Sequence, residues 1–386
     1  MKANVLGPAV LAQTSAGVVV VILAASVAIA NADEPRKPWD SGAALTYLDG
    51  RAEWWSNWPD ARRGRGTACV SCHSSMPYAI AIPAMTRLRG KAPAPEAQKR
   101  LLSGVRSRVE HWDQIVSPEK EGEDPFVPLY AGARRESALD TEAVLNALVL
   151  VVNDPRTNGK VEAPTGRALD LMWGRQQASG NWRWLEFGLR PWENEAEFFG
   201  AALAAVAAGT AGDAYPNGRR PEIEAKTTAL RGFLRSRLAA SPLLHHQALA
   251  LWAGSHLEGT FAEDEKGRMV TALLEAQRPD GGWSAKDLGK PVSQPQSAGW
   301  EIRGAHPAGS VSDAYATGLV VLALRRSGRP VTDERLARGL AWLATNQADD
   351  GTWPVVYLNH PQDPQEDVGK FVRDAGTAYA IMALTE

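Results

Sequence analysis

A seven-residue pattern, Gln-x-x-x-Gly-x-Trp, occurs three times in this chain and limits its fold more than any other feature. The copies span Gln176–Trp182, Gln277–Trp283 and Gln347–Trp353, and successive copies begin 101 and 70 residues apart. A motif repeated in this way is typical of proteins that stack copies of one supersecondary unit, because a single unit cannot bury its own apolar face. The chain is therefore expected to be a repeat protein.

Helical patterns surround each copy. Leu336, Leu340 and Leu343 recur at helix spacing before the third copy, and a second helix with an Ala- and Gly-rich body follows every copy. Each second helix carries an acidic residue near its start, which suits the helix dipole; these residues are Glu197, Asp313 and Asp374. No alternating strand pattern recurs. The sequence predicts an all-α fold of about five helical hairpins, with each motif Gln and Gly capping a helix end and each indole packing on a neighbouring helix.

From about residue 140 to its end, the chain resembles the α/α-toroid superfamily of squalene–hopene cyclases and protein prenyltransferase β-subunits, whose repeats carry the same motif. The resemblance implies an α/α toroid, an incomplete barrel of helical hairpins whose inner helices surround an apolar cavity that binds isoprenoids. It also implies that the motif residues stabilise the outer ring and take no part in chemistry. The family's catalytic residues do not carry over, because the chain lacks the Asp-x-Asp-Asp acid of triterpene cyclisation. A shared fold alone does not transfer function.

The two cysteines of the chain lie in the sequence Cys-Val-Ser-Cys-His at residues 69–73. This C-x-x-C-H spacing is that of c-type haem attachment. Cys69 and Cys72 would form thioethers with the haem vinyl groups, and His73 would be the proximal iron ligand. A redox-active dithiol and a zinc site are the alternatives, but no βαβ pattern surrounds the motif, and zinc needs a fourth ligand from elsewhere. The sequence predicts one covalent haem c, and the whole chain resembles a group of exported bacterial proteins that join such a segment to a toroid.

The distal ligand of this haem is less constrained. Met85 and His111 are the nearest candidates, and a five-coordinate iron is the third alternative. Met85 also fits an apolar position in a helix, and His111 also fits a polar surface position beside Trp112. The sequence therefore leaves the distal position open.

Residues 1–32 have the pattern of a secretory signal peptide. Lys2 precedes an apolar run from Val18 to Ala30, and Ala30-Asn31-Ala32 is a small-x-small cleavage site. An uncleaved membrane anchor is the alternative. In both cases the rest of the chain is expected to be exported to the periplasm. Residues 33–95 would then form a haem c-binding segment with its linker, and residues 96–386 the toroid.

Composition and motifs together suggest partners and function. The 42 basic and 44 acidic side chains leave a formal charge of −2, which excludes nucleic acid binding by bulk charge. The motifs predict an exported monohaem c-type cytochrome-like protein that serves electron transfer or redox chemistry, with a redox partner protein and an apolar, isoprenoid-like small molecule held in the ring. The alternative is a non-catalytic module that binds a hydrophobic ligand or a partner, with haem as a structural staple or sensor.

Two further groups of residues qualify as candidates. Glu186, Glu193 and Glu195 follow the first motif copy and are candidates to face a pocket. His245 and His256 lie eleven positions, about three helical turns, apart, so one metal ion is not readily held by both from a single helix. These histidines are expected to be solvated or helix-capping.

Overall fold

The structure is a computed structural model that describes residues 39–117, 124–303, 312–359, 363 and 365–386. The predicted signal peptide lies outside the described residues. The described part contains fourteen α-helices and no β-strand. In chain order they are α1 (Ser41–Asn57), α2 (Ser75–Arg89), α3 (Glu96–Glu110), α4 (Trp112–Val116), α5 (Arg135–Val152), α6 (Ala163–Arg175), α7 (Ala196–Ala211), α8 (Pro221–Ala240), α9 (Leu244–His256), α10 (Glu263–Glu275), α11 (Ala285–Leu288), α12 (Ala314–Arg326), α13 (Glu334–Thr345) and α14 (Phe371–Thr385).

Six of these helices form a closed inner ring. Contacts run from α2 to α5, α7, α9, α12 and α14 in turn, and α14 packs back against α2. The outer helices are α1, α3, α6, α8, α10 and α13. Along the chain they precede the inner helices α2, α5, α7, α9, α12 and α14, respectively. The prediction of an all-α toroid is confirmed. None of the helices in the described part of the chain combines the length and the apolar character needed to cross a membrane.

The inner helices approach closely because small residues line their contacts. Helix α7 has the sequence AEFFGAALAAVAAGTA and buries most of its positions, as expected for a helix that is apolar on all sides. Between α12 and α14 a Cβ on Gly318 would lie 2.8 Å from the backbone carbonyl carbon of Tyr379, which is closer than real Cβ contacts. Glycine is therefore required for this contact.

The motif glutamines tie each outer helix to the next one. Each side-chain amide donates to the carbonyl of its own motif Gly and to a carbonyl at the start of the following outer helix. The acceptor pairs, at 2.7–3.1 Å, are Gly180 and Lys226 for Gln176, Gly281 and Arg335 for Gln277, and Gly351 and Asp40 for Gln347. Each motif indole is buried and donates to a carbonyl ten residues earlier; the pairs are Trp182 with Met172, Trp283 with Leu273 and Trp353 with Leu343.

The third motif copy closes the ring through the N-terminal part of the described chain. Its glutamine reaches α1, and a Cβ on Gly351 would lie 2.5 Å from the carbonyl oxygen of Ala43 in that helix. Residues 33–95, which the sequence assigns to a segment of their own, thus supply α1 and α2 as a sixth hairpin. No motif copy precedes α2, so the repeat pattern alone does not reveal this hairpin.

Candidate functional site

The segments that precede the inner helices meet at one end of the ring. Residues 69–73 lie in the segment before α2, Trp192 and Glu193 lie before α7, and Phe371 begins α14. His245 and Tyr315 lie in the first turns of α9 and α12. We call this set of side chains the ring-entrance cluster.

The cysteine segment is fixed to its surroundings by hydrogen bonds. The Trp55 indole donates to the carbonyl of Cys69 at 2.7 Å. The Ser74 hydroxyl donates to a carboxylate oxygen of Asp374 at 2.6 Å, which joins the segment to α14. Cys69 and Cys72 are both free and partly accessible. The segment therefore presents two thiols in a fixed position.

Both thiols are protonated at neutral pH. Burial raises the pKa of Cys69 to about 11 and that of Cys72 to about 12. The negative charge of Glu193 adds to the shift at Cys72. Because the thiolate is the reactive form of cysteine, these are poor nucleophiles.

The imidazole of His73 is enclosed by aromatic rings. It stacks on Phe371 with ring centroids 3.9 Å apart, and it meets Trp55 and Trp192 edge-on at 5.4 and 5.8 Å. Burial lowers the pKa of His73 to about 3, and the positive charge of Arg51 contributes. The ring is therefore neutral at physiological pH.

The aromatic wall continues into the inner ring. Trp192 meets Tyr315 edge-on at 5.9 Å, and Tyr315 meets Tyr379 edge-on at 5.5 Å. The Tyr315 hydroxyl and His245 Nε2 form a 3.0 Å hydrogen bond. Three buried polar atoms here have no hydrogen-bond partner within the described residues: Trp192 Nε1, His245 Nδ1 and the Tyr379 hydroxyl. Buried polar atoms are normally paired, so such a group indicates a polar ligand or ordered water at this position.

Three carboxyl groups surround the cluster in different environments. Asp374 is buried and accepts hydrogen bonds from Tyr47, Arg51 and Ser74 at 2.6–2.8 Å. Burial raises its pKa, and Arg51 opposes that shift. Its bonds give Asp374 a structural role in holding the cysteine segment against α14.

Asp313 is the N-cap of α12. Its side chain accepts from the Ala316 amide at 3.0 Å and from the Ala285 amide. Burial raises its pKa to about 7, and the backbone donors oppose this shift. Both carboxylate oxygens are bonded to backbone amides, so Asp313 has a capping role.

Glu193 is the carboxyl that a ligand can reach. Its side chain is partly accessible, and Oε2 accepts from the Leu189 amide at 2.8 Å and from the Phe187 amide. Burial raises the pKa of Glu193, while these backbone donors oppose the shift. Its negative charge contributes to the raised pKa of Cys72, so the Glu193 carboxyl lies near the cysteine segment.

The structure does not bring the two candidate distal ligands to His73. Met85 is fully buried in α2, ten residues or about 15 Å along the helix axis from Ser75 at its start. His111 is exposed at the end of α3, stacks on Phe126 at 5.0 Å and bonds the Ser107 carbonyl at 2.8 Å. Within the described residues, no group of three or more His, Cys, Asp or Glu side chains is arranged to hold a metal ion.

Sequence reasoning found the cysteine segment and named Glu193, but it missed most of the cluster. His245 was expected to be solvated or capping, yet it is fully buried and bonded to Tyr315. The prediction is wrong because His245 lies on an inner helix, where its whole surroundings are protein. An Ala- and Leu-rich sequence around it was the available signal, because such a sequence is typical of a buried helix.

Comparisons with known proteins find likeness in structure alone. No known protein family matches the sequence, and no curated protein is significantly similar to it. A variant of UGL solved with dGlcA-Glc-Rha-Glc has a TM-score of 0.51 at 13% identity, over 89% of this chain and 94% of that one. A variant described as a glycosidase has a TM-score of 0.50 at 15% identity, over 89% of this chain and 96% of that one. A possible GH105 member from Salmonella enterica, at a TM-score of 0.32 and 12% identity over 88% and 92%, is too distant to support an argument.

These comparisons contradict the interpretation of the chain as a cytochrome-like electron-transfer protein, and the alternative of a non-catalytic module falls with it. One of the two similar structures is described as a glycosidase and the other holds an oligosaccharide, and at these identities the likeness shows the fold alone. The physical reason lies in residues 69–73, which form no cytochrome domain but lie before inner helix α2, with His73 packed between aromatic rings. Covalent attachment of haem at Cys69 and Cys72 is a separate point and stays a prediction.

Proposed function

We propose that this protein is a carbohydrate-active enzyme that hydrolyses a glycosidic bond at the ring-entrance cluster, with Glu193 as the proton donor. The observation that carries the proposal is the partly accessible Glu193 carboxyl, with its raised pKa, near the cysteine segment of a cluster that holds unpartnered polar atoms. The glycosidase names of the similar structures support the same reaction class.

The wall has the composition that a sugar site needs. Sugar rings offer apolar C–H faces and hydroxyl edges, and ligand sites combine aromatic surface with a few placed polar groups. His73, Trp192 and Tyr315 lie in consecutive edge-on ring contacts and supply the aromatic groups. Trp192 Nε1 and the Tyr379 hydroxyl are buried donors with no partner among the described residues, and they would bond to sugar oxygens once a sugar enters the cluster.

The protonation state of Glu193 suits an acid catalyst. Glycoside hydrolysis begins with transfer of a proton to the glycosidic oxygen, and a carboxyl with a raised pKa holds that proton at higher pH. Glu193 gives its proton to the leaving oxygen as the bond from that oxygen to the anomeric carbon breaks. Water then adds to the anomeric carbon, and its released proton restores the carboxyl. One water is consumed and no redox change occurs.

A substrate panel with one variant tests the proposal. Wild-type protein, offered a panel of oligosaccharides, should release reducing sugar, and Glu193→Gln should lower kcat at least ~100-fold, within the range general acids contribute. Glu197→Gln is the matched control, because Glu197 is exposed on the first turn of α7. No cleavage by the wild type across the panel, or equal rates in wild type and Glu193→Gln, would overturn the proposal.

We also propose that the enzyme acts in the periplasm, on the basis of the signal pattern of residues 1–32. N-terminal sequencing of the protein recovered from a periplasmic fraction tests this location. A mature chain that begins at Asp33 supports export, and recovery of the intact chain from the cytoplasm alone contradicts it.

A further inference from the structure

A cavity lies at the opposite end of the ring from the ring-entrance cluster. It measures about 220 Å³ and is lined by the C-terminal parts of all six inner helices. Its lining residues do not include any member of the ring-entrance cluster. We call it the exit cavity.

The walls of the exit cavity are apolar. Ile80 and Ala84 of α2, Val206, Trp252, Leu322 and Met382 supply them. All six side chains are buried or nearly so. An apolar cavity of about 150 Å³ binds benzene, so the exit cavity has room for a slightly larger apolar body.

One side of the cavity mouth carries a connected row of polar groups. His256 bonds the Thr210 hydroxyl at 3.0 Å and accepts from Arg326 at 3.4 Å. Arg326 also pairs with the Glu386 carboxylate at 2.6 Å. Burial lowers the pKa of His256 to about 4, and the charge of Arg326 contributes, so the imidazole is neutral at pH 7.

Arg87, on the same mouth, lacks a carboxylate partner among the described residues. Its exposed guanidinium donates to the Thr385 carbonyl at 3.3 Å. Among the charged side chains of the cavity lining, Arg326 and Glu386 pair with each other, which leaves Arg87 without a carboxylate partner. The C-termini of the inner helices converge here, and their partial negative charge disfavours a bound anion. Arginines offset this charge because they bond the terminal carbonyls; Arg325, for example, donates to the Ala383 carbonyl at 2.7 Å.

We propose that the exit cavity binds a small amphipathic carboxylate, with an apolar body of benzoate to octanoate size inside and its carboxylate paired with Arg87. The apolar walls accept the body, and the single unpaired arginine neutralises the head. Charge-assisted bonds between guanidinium and carboxylate are strong and directional, so the head fixes the orientation. The exit cavity is separate from the proposed hydrolytic site, and this proposal does not depend on the proposed hydrolytic function.

Calorimetric titration of the full chain with three matched probes tests the proposal. Benzoate, benzyl alcohol and benzylamine share one apolar body and differ in charge. Wild-type protein should bind benzoate at least tenfold more tightly than benzyl alcohol and should not bind benzylamine. Absence of benzoate binding at millimolar concentration, or equal binding of benzylamine, would overturn the proposal.

Two variants locate the binding. Arg87→Gln, at an exposed position, should weaken benzoate at least tenfold and leave benzyl alcohol unchanged, whereas Arg268→Gln, at an exposed position of α10, should change neither. Ala84→Leu should fill the cavity and abolish binding of both probes, provided that its helical spectrum matches the wild type. If Ala84→Leu fails to fold, Arg87→Gln decides alone. Unchanged benzoate affinity in Arg87→Gln contradicts the assigned site.

Discussion

Gln347 and Asp40 exchange two hydrogen bonds across 307 residues of sequence, from the Asp40 amide to Gln347 Oε1 at 2.6 Å and from Gln347 Nε2 to the Asp40 carbonyl at 2.9 Å. In the first two motif copies the equivalent glutamine reaches the next outer helix along the chain. In the third copy α1 takes that place. The toroid therefore closes through the same interaction that joins its repeats.

Removal of this contact should destabilise the whole ring. Gln347→Leu removes the bonds to the Asp40 amide and to two carbonyls, and because Asp40 is exposed and can bond to water we expect a loss of about 0.5–1.5 kcal/mol. The free energy of unfolding, from urea denaturation followed by circular dichroism, measures the effect. Gln294→Leu, at an exposed loop position, is the control and should change stability by less than about 0.5 kcal/mol. Equal stability of both variants would contradict the closure.

The motif tryptophans are expected to act through packing. Trp283 is 1% exposed and its indole bonds the Leu273 carbonyl at 2.7 Å. Trp283→Ala should cost about 3–5 kcal/mol of unfolding free energy, as large-to-small core changes do. Trp283→Phe keeps most of the ring and should cost less than Trp283→Ala. Equal losses in the two variants would show that the hydrogen bond, rather than the packing, stabilises the junction.

Asp313 should make stability depend on pH. Its folded-state pKa of about 7 lies above the ordinary value of 3.8, so the folded chain retains a proton that the unfolded chain has lost. The contribution of this group is fully present below pH about 4 and is lost as pH rises to about 7. The unfolding free energy of the wild type, relative to that of Asp313→Asn, should therefore fall over this range. A difference that stays constant or rises with pH would contradict the pKa assignment.

The thiols of the cysteine segment should react slowly in protein made without haem-attachment machinery. With pKa values of about 11 and 12 for Cys69 and Cys72, their thiolate fractions at pH 8 are far below that of a free cysteine. Labelling by iodoacetamide, followed by intact-mass spectrometry, should be much slower than labelling of glutathione. Labelling as fast as glutathione would contradict the burial of these thiols.

The prediction of covalent haem has its own measurement. Protein made in a host with c-type maturation should retain haem after denaturation and give a haem c band in alkaline pyridine with dithionite. Colourless protein with two free thiols would show that the C-x-x-C-H spacing arose without haem attachment.

Local patterns predicted the repeat helices because each motif copy carries its own capping and packing residues. The role of α1 was not predictable in this way, because Asp40 contributes only backbone atoms to the contact with Gln347, and backbone atoms leave no residue signature. The ring-entrance cluster was hidden for a related reason. His73, Trp192 and Tyr315 come from segments more than a hundred residues apart, and only the closure of the ring brings them together.

Cleavage of an oligosaccharide substrate in H₂¹⁸O tests the central claim most directly. We expect the wild type to place one ¹⁸O on the anomeric carbon of the new reducing end, its rate to fall as pH rises through the raised pKa of Glu193, and Glu193→Gln to form almost no labelled product. Labelled product at the wild-type rate from Glu193→Gln would show that Glu193 is not the proton donor, and a wild type that forms none would show that the protein does not hydrolyse this bond.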